Sequence, residues 1–146
     1  MRKTKSGGIL MKAKKIFVRI LAVLAVTVLI LIAVFIAGRY GWRLGGFSAC
    51  QSAGIRSVEC DGQNVYIEGF YPGSFPEGFC GYYSEERDGK LYIGFRFSGV
   101  FGFFETGNFD ITVPIKGDID EVIIKTASNE HSVWSSQNGF LSDFEG

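Results

Sequence analysis

The hydrophobic pattern of the chain changes once. From residue 20 to 37 there are eighteen residues without a charge, interrupted by Thr27 alone, and thirteen of them are Leu, Ile, Val or Phe. A run that is apolar on every face, carried back to Ile16, gives 22 residues, or about 33 Å of helix at 1.5 Å per residue. That length matches a bilayer core of about 30 Å. The thirteen large side chains favour insertion by about 4–8 kcal/mol on a per-residue insertion scale. Residues 16–37 are therefore expected to form one transmembrane helix, with Arg19 snorkelling back to the headgroups.

Beyond residue 54 the period becomes two. Residues 56–60 and 64–70 flank Asp61-Gly62, and residues 81–86 and 90–98 flank Asp88-Gly89, so two hairpins with the same turn device are predicted. Residues 109–113, 121–126 and 131–134 complete about seven strands. The expected fold is all-β: a small antiparallel β-sandwich, or small barrel, preceded by one N-terminal transmembrane helix. Residues 38–54, with five glycines and no periodicity, read as a juxtamembrane linker. The β-domain is placed at 55–134, and the polar tail 135–146 is expected to be frayed or loosely docked.

Charge sharpens this division. The 146 residues have zero formal net charge, yet residues 1–43 carry +9 with no acid, and residues 44–146 carry −9. Seven basic residues precede the apolar run (Arg2, Lys3, Lys5, Lys12, Lys14, Lys15, Arg19), and Arg39 and Arg43 follow it. The excess predicts residues 1–15 in the cytoplasm and the β-domain outside it, at the cell membrane. Tyr40 and Trp42 fall where an outer aromatic belt belongs. Met11 is a second candidate start, with the same topology. A cleaved signal peptide fits poorly, because the run is long and Phe35-Ile36-Ala37 is a poor cleavage site. Phe47-Ser48-Ala49-Cys50 faintly resembles a lipobox but lies too far from the run. A nucleic-acid role for the basic end is unnecessary once topology explains the charge. Ala33, Ala37 and Gly41 recur every four residues, the spacing that lets helices approach, so a weak helix-mediated homodimer is a candidate.

The stretch 117–125 followed by Val133-Trp134, with Gly81-Tyr82-Tyr83-Ser84-Glu85-Glu86 and Leu91-Tyr92-Ile93-Gly94-Phe95 before it, resembles small anchored envelope proteins of Gram-positive bacteria. Those have one N-terminal span or lipid anchor and a C-terminal β-domain. The resemblance implies that architecture over residues 55–134 and no catalytic residue.

Little in the chain points to catalysis. His131, the single histidine, has Glu130 and Ser132 as neighbours, which point to opposite faces of a strand and form no triad. Glu85-Glu86 at a hairpin tip reads as a solvated turn rather than a glycosidase pair. Cys50, Cys60 and Cys80 are too far apart in sequence for a zinc motif, and Asp118-x-Asp120-Glu121 lacks a calcium loop. No cofactor is expected. A Cys60–Cys80 disulfide is the preferred bridge, with buried free thiols the equal alternative.

Two loops rich in aromatics and glycine, 70–79 and 100–108, ask for explanation because loops run over the surface. Capping of the core is the simpler account. The functional one is an exposed apolar contact made by Phe101, Phe103 and Phe104. The expected function is a non-enzymatic interaction or accessory module with an envelope protein partner, which the negative domain favours over lipid. The alternative is a ligand-binding module for cell-wall glycan or peptide; an enzyme comes third.

Overall fold

A computed structural model describes residues 6–73, 77–102 and 105–141. The chain divides into two compact units, Met1–Ala37 and Gly38–Gly146. The described residues of the first belong to α1 (Ser6–Tyr40), the one helix among the described residues long and apolar enough to cross a membrane. Its large apolar side chains from Ile16 to Ile36 are exposed. The Thr27 hydroxyl donates to the Val23 carbonyl at 2.9 Å, which satisfies the one polar side chain of the run within the helix itself.

Among the described residues the second unit holds eight strands: β1 (Gly54–Cys60), β2 (Asn64–Phe70), β3 (Gly78–Arg87), β4 (Lys90–Ser98), β5 (Asn108–Pro114), β6 (Glu121–Lys125), β7 (Glu130–Ser135) and β8 (Gly139–Phe140). They form a three-stranded sheet, β1-β2-β5, and a five-stranded sheet, β3-β4-β6-β7-β8. Both expected hairpins are present. Between β1 and β2 the loop Asp61-Gly62-Gln63 turns at Gly62, whose φ of 85° is positive. The Asp61 carboxylate accepts the N–H groups of Gln63 (2.8 Å) and Asn64 (2.7 Å), which holds its pKa below the ordinary carboxylate value. Between β3 and β4, Asp88 and Gly89 have φ of 54° and 72°, the paired positive values of a type I′ turn.

Two expectations need correction. The pairing is not wholly antiparallel, because β4 and β6 run parallel, Lys90 opposite Glu121 through Ile93 opposite Ile124. The chain leaves β4, runs as β5 in the other sheet, and returns beside β4 in the same direction. Accordingly β6 reads Val122-Ile123-Ile124, a continuous apolar run buried on both faces. The described part of the tail is docked on the sheet, where β8 pairs with β7 and the Leu141 N–H donates to the Val133 carbonyl. Residues 38–54 are not a flexible linker: a 3₁₀ segment, Gly41–Ala49, kinked at Gly46, leads to buried Cys50 and Ala53.

One hydrophobic cluster draws on both sheets. Val65, Ile67, Phe109, Ile111 and Val113 come from the smaller sheet, and Leu91, Ile93, Phe95, Phe97, Val122, Ile124 and Val133 from the larger. Its centre is aromatic. The Phe95 ring lies 4.5 Å from that of Phe109, and Phe79 stacks on Phe109 at 5.1 Å. Tyr82 ties β3 to β5 by donating its hydroxyl hydrogen to the Thr112 carbonyl at 3.3 Å.

Candidate functional site

The segment that follows the apolar run is built into the β-domain. In β4 the core takes Leu91, Ile93, Phe95 and Phe97, so alternation turns Tyr92, Gly94 and Arg96 to the opposite face. Residues 41–53 cover that face. Phe47 meets Tyr83 edge-on at 4.9 Å and Tyr92 at 6.4 Å, and Lys125 lies 5.5 Å from both the Phe47 and Tyr92 rings. The Arg96 guanidinium donates to the Ala49 carbonyl at 3.1 Å. Cys50 lies directly over Gly94, where a Cβ would overlap its thiol. Gln51 then extends the sheet: its N–H donates to the Phe95 carbonyl at 2.7 Å, and the Phe97 N–H donates to its Oε1 at 2.8 Å.

Just before this segment sit Arg39, Tyr40, Trp42 and Arg43. Arg39 donates to the Phe101 carbonyl at 2.5 Å and pairs with Glu105 at 3.2 Å. The Arg43 guanidinium lies 5.6 Å from the Tyr40 ring and 5.5 Å from Trp42, and its Nε donates to the Tyr82 carbonyl at 3.4 Å. These residues count in the sequence only as flanking charges and belt aromatics. The apolar spacing of Phe47, Cys50 and Ala53 is the signal that could have marked a packed segment.

The described residues of the two aromatic loops pack against the rest of the domain. Tyr71 stacks on Phe97 at 4.6 Å and its N–H donates to the Gly107 carbonyl, so the first loop begins by capping the core. Phe101 is half-buried, its ring so close over Gly38 that a Cβ there would overlap it. It therefore packs on Gly38, and its neighbour Val100 is exposed. Phe103 and Phe104, like Phe75, lie outside the described residues.

All three cysteines are free thiols, so the Cys60–Cys80 bridge is not formed. Cys60 pairs with Val65, and Val65 with Val113, whereas Phe79, beside Cys80, stacks on Phe109. Phe109 and Val113 are about 13 Å apart along their strand, well beyond the roughly 7 Å Cα separation that a disulfide tolerates. Burial pushes the Cys50 thiol from 9.0 up to about 11, with Arg96 opposing, and it raises Cys80 as well. An acid whose pKa rises on folding stabilises the fold below its unfolded value, and that stabilisation is lost as pH climbs through the folded one. The domain should therefore weaken between about pH 9 and 11. Alkylation of the native chain near pH 8 should reach Cys60 long before Cys50 or Cys80, as peptide mass spectrometry over time would show. Equal rates would contradict the burial.

A shallow cleft of about 400 Å³ opens among Cys50, Gln51 and Ser52, the Tyr71-Pro72-Gly73 turn, and Thr126 to Ser128. Its lining is hydroxyl-rich. Elsewhere Glu121 pairs with Lys90 at 2.7 Å, and that pairing lowers the carboxyl pKa and raises the amine. Glu121 is thus committed to a strand-to-strand ion pair. Among the described residues no three His, Cys, Asp or Glu side chains gather to hold a metal ion. Exposed His131 pairs in register with Ile124. Comparison with known proteins gives no match: no family model fits the chain, and no curated protein or solved structure matches it.

Proposed function

We propose that this chain is a single-pass membrane protein of a bacterial cell envelope. Its N-terminus is cytoplasmic, and its β-domain, a sandwich of the two sheets, is a non-enzymatic interaction module held at the outer membrane surface. The observation that carries the reading is the missing slack. The 3₁₀ segment begins four residues after Ala37, and by Cys50 the chain is buried in the fold. A module tethered this closely meets partners at the membrane rather than at a distance from it. The seven-to-two excess of basic residues before the apolar run supports the orientation. A domain charge of −9 over residues 44–146 favours a basic protein partner.

The alternative, a ligand-binding module for wall glycan or peptide, draws on the hydroxyl-lined cleft. Tyr71, committed to Phe97, gives it no free stacking platform.

Intact cells treated with a membrane-impermeant amine cross-linker provide the test. Lys90, Lys116 and Lys125 should be modified, and Lys3, Lys5, Lys12, Lys14 and Lys15 should be protected, with one recurrent protein attached. Modification of the N-terminal lysines alone would reverse the orientation. Correct topology without a partner, together with glycan or peptide binding, would favour the alternative.

A further inference from the structure

We infer that Tyr40, Leu44 and Val100 form an apolar edge by which the β-domain rests in the interfacial layer of the lipid bilayer. The inference rests on the membrane-anchored reading and adds a second, non-covalent contact to it.

The distribution of exposed apolar side chains is the first argument. Beyond residue 37 the large hydrophobic residues exposed among those described are Tyr40 (50%), Leu44 (95%), Tyr66 (39%) and Val100 (68%). Three of the four gather around the residues that directly follow the apolar run. Tyr40 and Leu44 do so by sequence. Val100 does so by packing: its neighbour Phe101 lies on Gly38 and accepts a hydrogen bond from Arg39, although over sixty residues of chain intervene. The 98–102 loop is thus clipped to the residue immediately after Ala37. It is held in shape by the Ser98 hydroxyl, which accepts the N–H groups of Val100 (3.3 Å) and Phe101 (3.2 Å).

Chemistry and reach supply the rest. Leu44 is seven residues past Ala37, and at about 2 Å per residue of 3₁₀ helix it lies within roughly 14 Å of it along the chain. A leucine left almost wholly in water and a valine about two-thirds exposed gain by burial of that apolar area beside lipid. The neighbours are those of an interface: exposed Arg43 suits phosphate, and exposed Tyr40 suits the boundary between headgroup and chain. The negative charge of the remaining domain keeps its other faces off an anionic surface, so this edge alone would touch it.

The test uses the native chain reconstituted in vesicles of phosphatidylcholine with a minor share of phosphatidylglycerol. The vesicles carry a lipid with a diazirine near the headgroup or, separately, in the acyl chain. After photolysis, adducts are mapped by peptide mass spectrometry. Acyl-chain adducts should fall in residues 20–37. Headgroup adducts should fall at 40–44 and 98–102, several-fold above the 61–64 hairpin. Leu44→Asp combined with Val100→Asp should lower the headgroup adducts several-fold and leave the acyl-chain adducts unchanged. Adducts at 98–102 no higher than at 61–64, with the span still labelled, would overturn this inference and leave the anchored reading intact. A span without acyl-chain adducts would overturn both. Disappearance of the 98–102 adducts at high protein-to-lipid ratio would assign the edge to a second copy of the chain and overturn the lipid contact.

Discussion

Phe95→Ala should cost the β-domain about 3–5 kcal/mol, the usual range for removing a fully buried phenylalanine. The ring is completely enclosed and packs at 4.5 Å on Phe109, so one substitution empties the place where the two sheets contribute to one core. A domain of this size has roughly 5–15 kcal/mol in total, so the variant should sit near its unfolding threshold. Urea titration of the full chain in nanodiscs, followed by near-ultraviolet circular dichroism, would show the midpoint collapse. A loss under about 1 kcal/mol would mean that the aromatic cluster is not the centre of the fold. Phe109→Ala should give a similar loss, and the double variant less than the sum, because both remove the same contact.

Gly94→Ala should be almost as damaging for the opposite reason, by adding an atom. The new Cβ would overlap the Cys50 thiol, and it would lie 2.8 Å from the Cys50 Cβ and 2.9 Å from the Lys125 carbonyl oxygen. Overpacking of this kind costs about 1–3 kcal/mol, and the backbone oxygen of Lys125 cannot turn aside as a side chain can. The expected result is release of residues 41–53 from the sheet. Hydrogen exchange would read it at the Gln51 amide, which loses its bond to the Phe95 carbonyl, and at the Phe97 amide, which loses the Gln51 side chain. Pairing the change with Cys50→Gly removes two of the three close contacts and should restore part of the protection. If Gly94→Ala leaves Gln51 as protected as before, the segment does not lie on β4 as described.

The same two residues mark how far the sequence can be read. Strand positions are legible because alternation and turn chemistry are local: β2 spans Asn64–Phe70, as the pattern predicts, and Asp88-Gly89 turns β3 into β4. The start of β3 at Gly78 is less legible, since a register shift between Phe79 and Gly81 breaks the alternation there. Partner choice is not local. Nothing in the composition of β6 says that its neighbour is β4 in parallel, although its unbroken Val122-Ile123-Ile124 run is what a strand buried on both faces requires. Residues 41–53 mislead because their glycines read as flexibility. In the fold Gly46 supplies a positive φ of 55° at a kink, and Phe47, Cys50 and Ala53 do the packing. Asn138-Gly139 is a turn signal inside the presumed tail, and it leads into β8. For the site the legible part is the identity of the juxtamembrane residues. The illegible part is that Phe101 folds back onto Gly38 and leaves Val100 outward.

The parallel pairing of β4 with β6 also governs when the domain can come into being. After β4 ends at Ser98, the chain crosses to the other sheet as β5 before β6 returns to β4's second edge. The larger sheet therefore stays incomplete until about residue 125 has emerged, and its last strand forms only at Phe140. Contacts so distant in sequence make folding slow for a chain of this length. A nascent copy would travel with β4 paired to β3 alone, its other edge open and Leu91, Ile93, Phe95 and Phe97 not yet covered by the rest of the core. Such an edge sticks to whatever it meets. The order of synthesis thus fixes a vulnerable interval before the finished fold, in which one edge of the larger sheet is open to whatever the chain meets.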